Sequence, residues 1–162
     1  MATVLAPLLF VRGDATAPEG EGAKIIAHVC NDIGAWGKGF VVALSRRWPQ
    51  PEAAYRRWFG AASDAGFGLG AVQLVQVEPS TWVANMIGQH GIRRGASGPP
   101  IRYEAIAECL RRVAGMAQEL QASVHMPRIG CGLAGGEWSR IERLAHQQFC
   151  DQGVPVTVYD LE

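Results

Sequence analysis

Two glycine-rich segments stand at places in the chain that are suited to binding an anion. The first, NDIGAWGKG over residues 31–39, follows the apolar run KIIAHVC, and the second, GCGLAGG over residues 130–136, follows SVHMPRI. Glycine lets the backbone approach a phosphate without a Cβ in the way, and a following helix supplies free N–H groups. Two such loops can hold a diphosphate from both sides, which favours a nucleotide diphosphate over a single phosphate.

Neither segment matches the phosphate-binding patterns GxxxxGK[ST] and GxGxxG. Each glycine run taken singly is compatible with a tight turn, whereas two such runs together favour a ligand. Asn31 and Asp32 open the first segment and suit either ribose hydroxyls or the capping of a turn. Asp14 follows another apolar run and suits either an adenine amino group or a turn.

Cysteine and histidine offer further reactive candidates. Cys131 would be a nucleophile only with a histidine beside it and a lowered pKa. His28 and His125 lie within apolar runs and are expected in the core, whereas His90 is the histidine that we expect near a pocket. Arg93 and Arg94, in a glycine-bounded loop, are candidates for contact with a phosphate or a negatively charged partner. The four cysteines form no CxxC pair, so the sequence predicts no metal site.

Apolar runs and amphipathic stretches alternate along the chain and predict six strands and four helices. The expected strands cover residues 8–11, 24–30, 71–77, 82–87, 123–129 and 155–159, and the expected helices cover 40–48, 52–59, 103–120 and 137–150. The short gap between the third and fourth strands favours an antiparallel hairpin. This order predicts a three-layer α/β/α fold with a mixed, mostly parallel sheet. Both glycine segments then lie at the carboxyl ends of strands, where such sheets bind ligands.

Composition limits the classes of protein that the chain can belong to. The 162 residues are 48% hydrophobic and 19% charged, typical of a soluble globular domain and unlike a disordered chain. Fifteen Lys and Arg balance fifteen Asp and Glu, which argues against strong nonspecific binding of nucleic acid. No apolar run approaches the roughly 20 residues of a membrane span, and the N-terminus lacks signal-peptide features. We expect one domain over residues 1–162 that is cytoplasmic, monomeric and not bound to a membrane.

Six segments resemble the macrodomain family, whose members bind ADP-ribose. In chain order they are VRGDAT (11–16), IIAHVCNDIGAWGKGF (25–40), VANMIGQ (83–89), RYEAI (102–106), MPRIGCGLAGGEW (126–138) and VTVYDL (156–161). The resemblance covers nearly the whole chain, and MPRIGCGLAGGEW is its most specific part. The chain is most similar to the branch of terminal ADP-ribose protein glycohydrolase and its bacterial relatives.

The resemblance implies a set of ligand contacts and no cofactor. Asp14 and Ala15 would hold the adenine, with Tyr159 and Asp160 near the same pocket. Asn31, with Asp32 nearby, would face the distal ribose. The first loop would surround the phosphates and that ribose through Gly37, Lys38, Gly39 and Phe40. The second loop would donate N–H groups to the diphosphate through Gly130, Cys131, Gly132, Leu133 and Ala134.

Two departures from that branch bear on the activity that the resemblance implies. In the branch, a lysine after the central hairpin attacks the sugar and an aspartate in the second loop assists, but Gln89 and Ala134 stand at these positions. We therefore expect an ADP-ribosylhydrolase that works by water attack at the distal ribose, with Asn31, Asp32 and Gln89 as catalytic residues. Its substrates would be ADP-ribosylated protein side chains or O-acetyl-ADP-ribose.

Two other functions are compatible with the same pocket. One is a non-catalytic module that recognises ADP-ribose. The other is recognition of ADP-ribosylated nucleic acid, in which the nucleic acid takes part only as a modified substrate.

Overall fold

The computed structural model describes residues 5–61, 65–95, 98–132 and 134–161. Its strands are β1 (Leu8–Arg12), β2 (Lys24–Asn31), β3 (Val72–Glu78), β4 (Thr81–Gln89), β5 (Ser123–Met126) and β6 (Val156–Asp160). Its helices are α1 (Phe40–Arg47), α2 (Gln50–Ala61), α3 (Tyr103–Leu120) and α4 (Trp138–Gln148).

The six strands form one mixed sheet in the order β1-β6-β5-β2-β4-β3. All neighbouring strands are parallel except β3 and β4, which form the expected antiparallel hairpin. Residues of α3 and α4 build a core on one face of the sheet, and residues of α1 and α2 build a second core on the other. The predicted three-layer α/β/α fold with a mostly parallel sheet is therefore confirmed.

Strand β2 lies inside the sheet and contributes to both cores. Ile25 and Ala27 belong to the core beneath α3 and α4, while Ile26 and Cys30 belong to the core beneath α1 and α2. Successive side chains of a strand point to opposite faces, so a strand covered on both sides is apolar almost throughout. This explains why the run KIIAHVC is apolar apart from Lys24 and His28.

Helix α3 matches its predicted bounds, whereas every other element begins or ends one to three residues away from its predicted bounds. Strand β5 was expected to continue to residue 129 but ends at Met126, and the next residue, Pro127, has no N–H for the ladder. Helix α4 stops at Gln148, and a 3-10 turn at Cys150–Gln152 follows it. Helix α2 extends two residues beyond its predicted bounds at each end. Among the described residues, no helix combines the length and apolar character needed to cross a membrane.

Leu110 tests the core beneath α3, because its side chain is completely buried there. We expect Leu110→Ala to lower the free energy of unfolding by about 2–5 kcal/mol, from lost transfer energy and the cavity left behind. The matched control is Leu69→Ala, since Leu69 is exposed and should change stability by less than about 0.5 kcal/mol. Urea titration measures both, and equal losses would contradict the assignment of Leu110 to the core.

Candidate functional site

A cavity of about 530 Å³ lies at the carboxyl ends of β2 and β5 and beside the end of β4. Its walls come from the first glycine loop (residues 31–40), the second glycine loop (residues 127–136) and the segment after β4 (residues 89–93). Loops that follow parallel strands meet at one edge of a sheet, which makes that edge a common ligand site. The two glycine loops thus line the same cavity.

Asn31 holds the start of the first glycine loop. Its Oδ1 accepts hydrogen bonds from the backbone N–H groups of Ile33 and Ala35, both at 3.0 Å, and its Nδ2 donates to the Ala35 carbonyl at 2.7 Å. The buried hydroxyl of Tyr55 lies 2.8 Å from Oδ1 and accepts the N–H of Gly34 at 3.1 Å. Most of the hydrogen-bonding capacity of the Asn31 amide is therefore used within the loop.

The inner wall of the cavity is aromatic. The ring of His28 contacts Trp36 edge-on, with centroids 5.4 Å apart, and lies 5.9 Å from the ring of Phe40. Trp36 is held in turn by a hydrogen bond from Nε1 to the Ser45 hydroxyl at 2.8 Å. Helix α1 begins at Phe40, so the positive end of its dipole lies at the cavity.

His28 is neutral, and its tautomer follows from its neighbours. The Asn85 amide nitrogen donates to the Pro51 carbonyl at 3.2 Å, which leaves Asn85 Oδ1 as the acceptor for His28 Nε2 at 2.5 Å. His28 Nε2 therefore carries the proton. Burial lowers the pKa of His28 to about 4, and its Nδ1 has no hydrogen-bond partner among the described residues.

Three glycines set the course of the second glycine loop, and a fourth leaves it open to the cavity. Gly130 and Gly135 have φ angles of 71° and 75°, a region that glycine adopts without strain. The N–H of Gly136 donates to the Gly130 carbonyl at 2.6 Å, and a Cβ on Gly136 would lie 2.5 Å from that oxygen. A Cβ on Gly132, by contrast, would meet nothing within 4 Å.

The structure gives Cys131 no features of a nucleophile. Its Sγ donates to the Ile129 carbonyl at 3.4 Å, and burial raises the pKa of the thiol. A reactive cysteine needs the opposite shift. Its side chain does not line the cavity, and the neighbouring predicted ligand, Leu133, lies outside the described residues.

Arg128 stands between the cavity and the end of β6. Its guanidinium makes two hydrogen bonds to the Asp160 carboxylate, at 2.7 and 3.0 Å, and holds the pKa of that carboxyl below its usual range. The guanidinium carbon also lies 5.1 and 5.0 Å from the ring centroids of Phe10 and Trp138. Asp160 thus fixes Arg128 rather than lining the cavity itself.

Asp14 and Tyr159 hold the turn after β1. Oδ1 of Asp14 accepts the backbone N–H and the hydroxyl of Thr16, both at 2.8 Å. The Tyr159 hydroxyl accepts the N–H of Glu19 at 2.9 Å and lies 2.7 Å from His125 Nδ1. Asp14 therefore makes the turn-capping contact that its position allows, and its second carboxylate oxygen is not used in these bonds.

Asp32 pairs with His90 across the ends of β2 and β4, next to residues of the cavity wall. Its Oδ2 lies 2.7 Å from His90 Nδ1, and its Oδ1 accepts the N–H of Gly91 at 2.8 Å. Gln89, on the cavity wall, donates from Nε2 to the Gly91 carbonyl at 2.9 Å. His90 does not line the cavity, although Gln89, Ile92 and Arg93 around it do, so its expected place at a pocket stays a prediction.

The structure brings about half of the predicted site residues into the walls of one cavity. These are Asn31, Gly37, Lys38, Gly39, Phe40, Gln89, Gly130, Gly132 and Ala134. Asp14, Ala15, Asp32, Cys131, Tyr159 and Asp160 are described but do not line it. Their contacts with a ligand stay predictions.

Two basic or titratable side chains of the cavity wall, Arg128 and His28, were not among the predicted site residues. Arg128 could have been found from its position between a buried strand and a glycine loop, where a basic side chain meets any anion that the loop binds. His28 was expected in the core; it is buried, but it also lines the cavity. Its orientation depends on Asn85 from the neighbouring strand, and no local pattern reveals that pairing.

The fold and the sequence have a close counterpart among solved structures. The structure of a macrodomain protein from Streptomyces coelicolor is 63% identical, with a TM-score of 0.86, and the match covers 95% of this chain and 99% of that one. This chain belongs to the macrodomain family. No protein-family model matches it.

Two further comparisons give a likeness in fold and a likeness in sequence. Thermosipho africanus DarTG, solved in complex with ADP-ribose, has the same fold at 21% identity and a TM-score of 0.75, over 94% of this chain and 41% of that one. The mouse protein "Chromodomain-helicase-DNA-binding protein 1-like" is 32% identical over 160 residues, covering 93% of this chain. This chain spans only 17% of that relative's length.

The buried histidines of the macrodomain make its stability depend on pH. Desolvation lowers the pKa values of His28 and His125 to about 4, from 6.5. Between these values the unfolded chain binds protons that the folded protein does not, so stability falls as the pH drops from 6.5 toward 4. The effect of His28 is on the order of 3 kcal/mol.

Urea unfolding between about pH 7.5 and 4.5 measures this dependence. His28→Gln should make the decline shallower, because one of the two buried imidazoles is gone. An unfolding midpoint that is constant across this range would contradict the neutral, buried state of both histidines.

Proposed function

We propose that this macrodomain binds ADP-ribose in the cavity and hydrolyses ADP-ribosyl esters. The observation that carries the proposal is that both glycine loops line one cavity, beside the N-terminus of α1. Backbone N–H groups donate hydrogen bonds to a diphosphate, and the positive end of a helix dipole attracts its negative charge. Lys38, Arg93 and Arg128 add three basic side chains to the same walls.

The ligand would lie along the edge of the sheet with its diphosphate between the loops. The distal ribose would take the side of Asn31 and Gln89, which are partners on β2 and β4. The adenine would take the side of Asp14, Ala15 and Tyr159, with Asp160 holding Arg128 against the cavity. This orientation keeps the free carboxylate oxygen of Asp14 available for an adenine amino group.

Hydrolysis would occur by direct attack of water on the anomeric carbon of the distal ribose. The new bond joins the water oxygen to that carbon, and the bond from the carbon to the ester oxygen breaks. The acceptor leaves as a carboxylate with the electron pair, and the water loses one proton. The related branch forms its covalent adduct through a lysine assisted by an aspartate. Gln89 and Ala134 stand at these positions and supply neither an amine nor a carboxylate, so the proposed route is direct attack by water.

The substrates of this attack at the anomeric carbon would be protein side chains that carry ADP-ribose through an ester. O-acetyl-ADP-ribose carries its acetyl group on a ribose hydroxyl, so its hydrolysis would need attack of the water on the acyl carbon, which releases acetate and leaves the hydroxyl on the ribose. A non-catalytic reader is the second candidate. The observation in its favour is that both predicted catalytic amides already make hydrogen bonds within the protein. Asn31 donates to the Ala35 carbonyl, and Gln89 donates to the Gly91 carbonyl.

A substitution at Gly132 tests ligand binding without disturbing the fold, because a Cβ at this position would meet no atom within 4 Å. Gly132→Glu should leave the protein folded and weaken ADP-ribose at least about 100-fold, because a carboxylate would stand where a diphosphate must bind. Gly132→Ala is the matched control and should bind within a few-fold of the parent. Calorimetry with ADP-ribose and thermal unfolding test this, and unchanged affinity in Gly132→Glu would count against the cavity.

Turnover is tested with a peptide carrying ADP-ribose on a glutamate side chain. We expect slow release of ADP-ribose and no adduct trapped by borohydride. Asn31→Ala should lower turnover, because the loop loses the bonds that orient it, whereas Lys38→Ala should change mainly the affinity. A trapped adduct, or binding with no turnover in Lys38→Ala, would overturn water attack. Binding by the parent protein with no turnover of any ester would favour the reader.

A further inference from the structure

The Asp32–His90 pair has a geometry that differs from that of the surface ion pairs of this protein. The Asp32 side chain is 16% exposed and the His90 side chain is 64% exposed. A mostly buried carboxylate therefore contacts an imidazole ring that is open to solvent. Both Asp32 oxygens are engaged, one by His90 Nδ1 at 2.7 Å and one by the Gly91 N–H at 2.8 Å. The carboxylate is therefore fixed on two sides.

This contact sets which nitrogen of His90 is available for chemistry. An ionised carboxylate can only accept, so the proton of the neutral ring lies on Nδ1 and the lone pair lies on Nε2. Nε2 has no hydrogen-bond partner among the residues that the structure describes. A carboxylate on one nitrogen and a free lone pair on the other is the arrangement of a histidine base.

Asp32 and His90 do not line the cavity themselves, but residues next to them in the chain do. Asn31 and Gln89, the residues that precede Asp32 and His90, are register partners on β2 and β4 and line the cavity. Ile92 and Arg93, just after His90, line it as well. The backbone N–H of His90 donates to the Pro100 carbonyl at 2.8 Å, which anchors the loop at this point.

We propose that His90 is the general base of this macrodomain, activating the attacking water, and that Asp32 is its positioning residue. This rests on the proposed function, to which it adds the proton acceptor. Nε2 takes one proton from the water as its oxygen bonds to the anomeric carbon, and the acceptor leaves as a carboxylate with the electron pair of the broken bond. The imidazolium then returns its proton to solvent, so water is the one co-reactant that the step consumes.

The amide residues nearby cannot perform this step. Gln89 and Asn31 donate and accept hydrogen bonds but do not take up a proton at neutral pH. A positioned base contributes typically 10²–10⁴-fold to a rate. The competing interpretation is that Asp32 and His90 only fasten the segment after β4 to β2.

The test is turnover of the glutamate-linked ADP-ribosyl peptide by the full chain, with ADP-ribose affinity measured in parallel. His90→Asn keeps a donor where Nδ1 stands and so retains the contact with Asp32, but it has no base. We expect kcat to fall at least about 100-fold with KM and ADP-ribose affinity nearly unchanged. For His90→Ala, added imidazole should restore part of the lost rate.

The outcomes separate this inference from the function on which it rests. Turnover in His90→Asn within a few-fold of the parent protein would overturn the role of His90 and leave hydrolysis standing. Loss of ADP-ribose affinity in step with kcat would assign the pair to fastening the loop and also overturn it. Absence of turnover in the parent protein would remove the hydrolase function, and the base with it, whereas ADP-ribose binding would be judged by calorimetry.

Discussion

Parallel pairing of β5, β2 and β4 is the constraint on which the rest of the structure depends. Parallel strands need crossovers, and crossovers bury both faces of the sheet beneath helices. The loops that leave these strands then gather at one edge, because all three strands run in the same direction. The cavity is a consequence of this arrangement, and the antiparallel β3 can only cap the sheet beyond it.

Hydrogen bonds inside the loops, rather than bonds to a ligand, hold the cavity in shape. Asn31 and Tyr55 order the first glycine loop, and the contact between Gly136 and Gly130 closes the second. A loop that is already ordered loses little conformational entropy when a ligand binds. This explains why a residue expected to contact a sugar spends most of its polar groups on the backbone.

The same edge brings together groups of different electrical character. Arg128 is fixed by Asp160 on one side of the cavity, and His28 is buried and neutral on its inner wall. Asp32 contacts the exposed ring of His90 next to the cavity wall. A diphosphate is attracted by the basic side chains and the N–H groups. The unprotonated nitrogen of a neutral imidazole accepts hydrogen bonds from donors such as hydroxyl groups and water. A ligand with a diphosphate and a sugar satisfies both conditions.

The sequence by itself determined the elements of this protein and their order, because periodicity and helix- or strand-ending residues act over a few neighbours. The run KIIAHVC and the spacing of Ile106, Leu110 and Val113 are of this kind, and the two glycine loops could be predicted to share an edge. What only the tertiary structure decided are contacts between residues far apart in the chain. His90 meets Asp32 across 58 residues, Arg128 meets Asp160 across 32, and Asn85 sets the tautomer of His28 across 57. Such pairings depend on strand register and loop packing, which arise only when the whole sheet has formed.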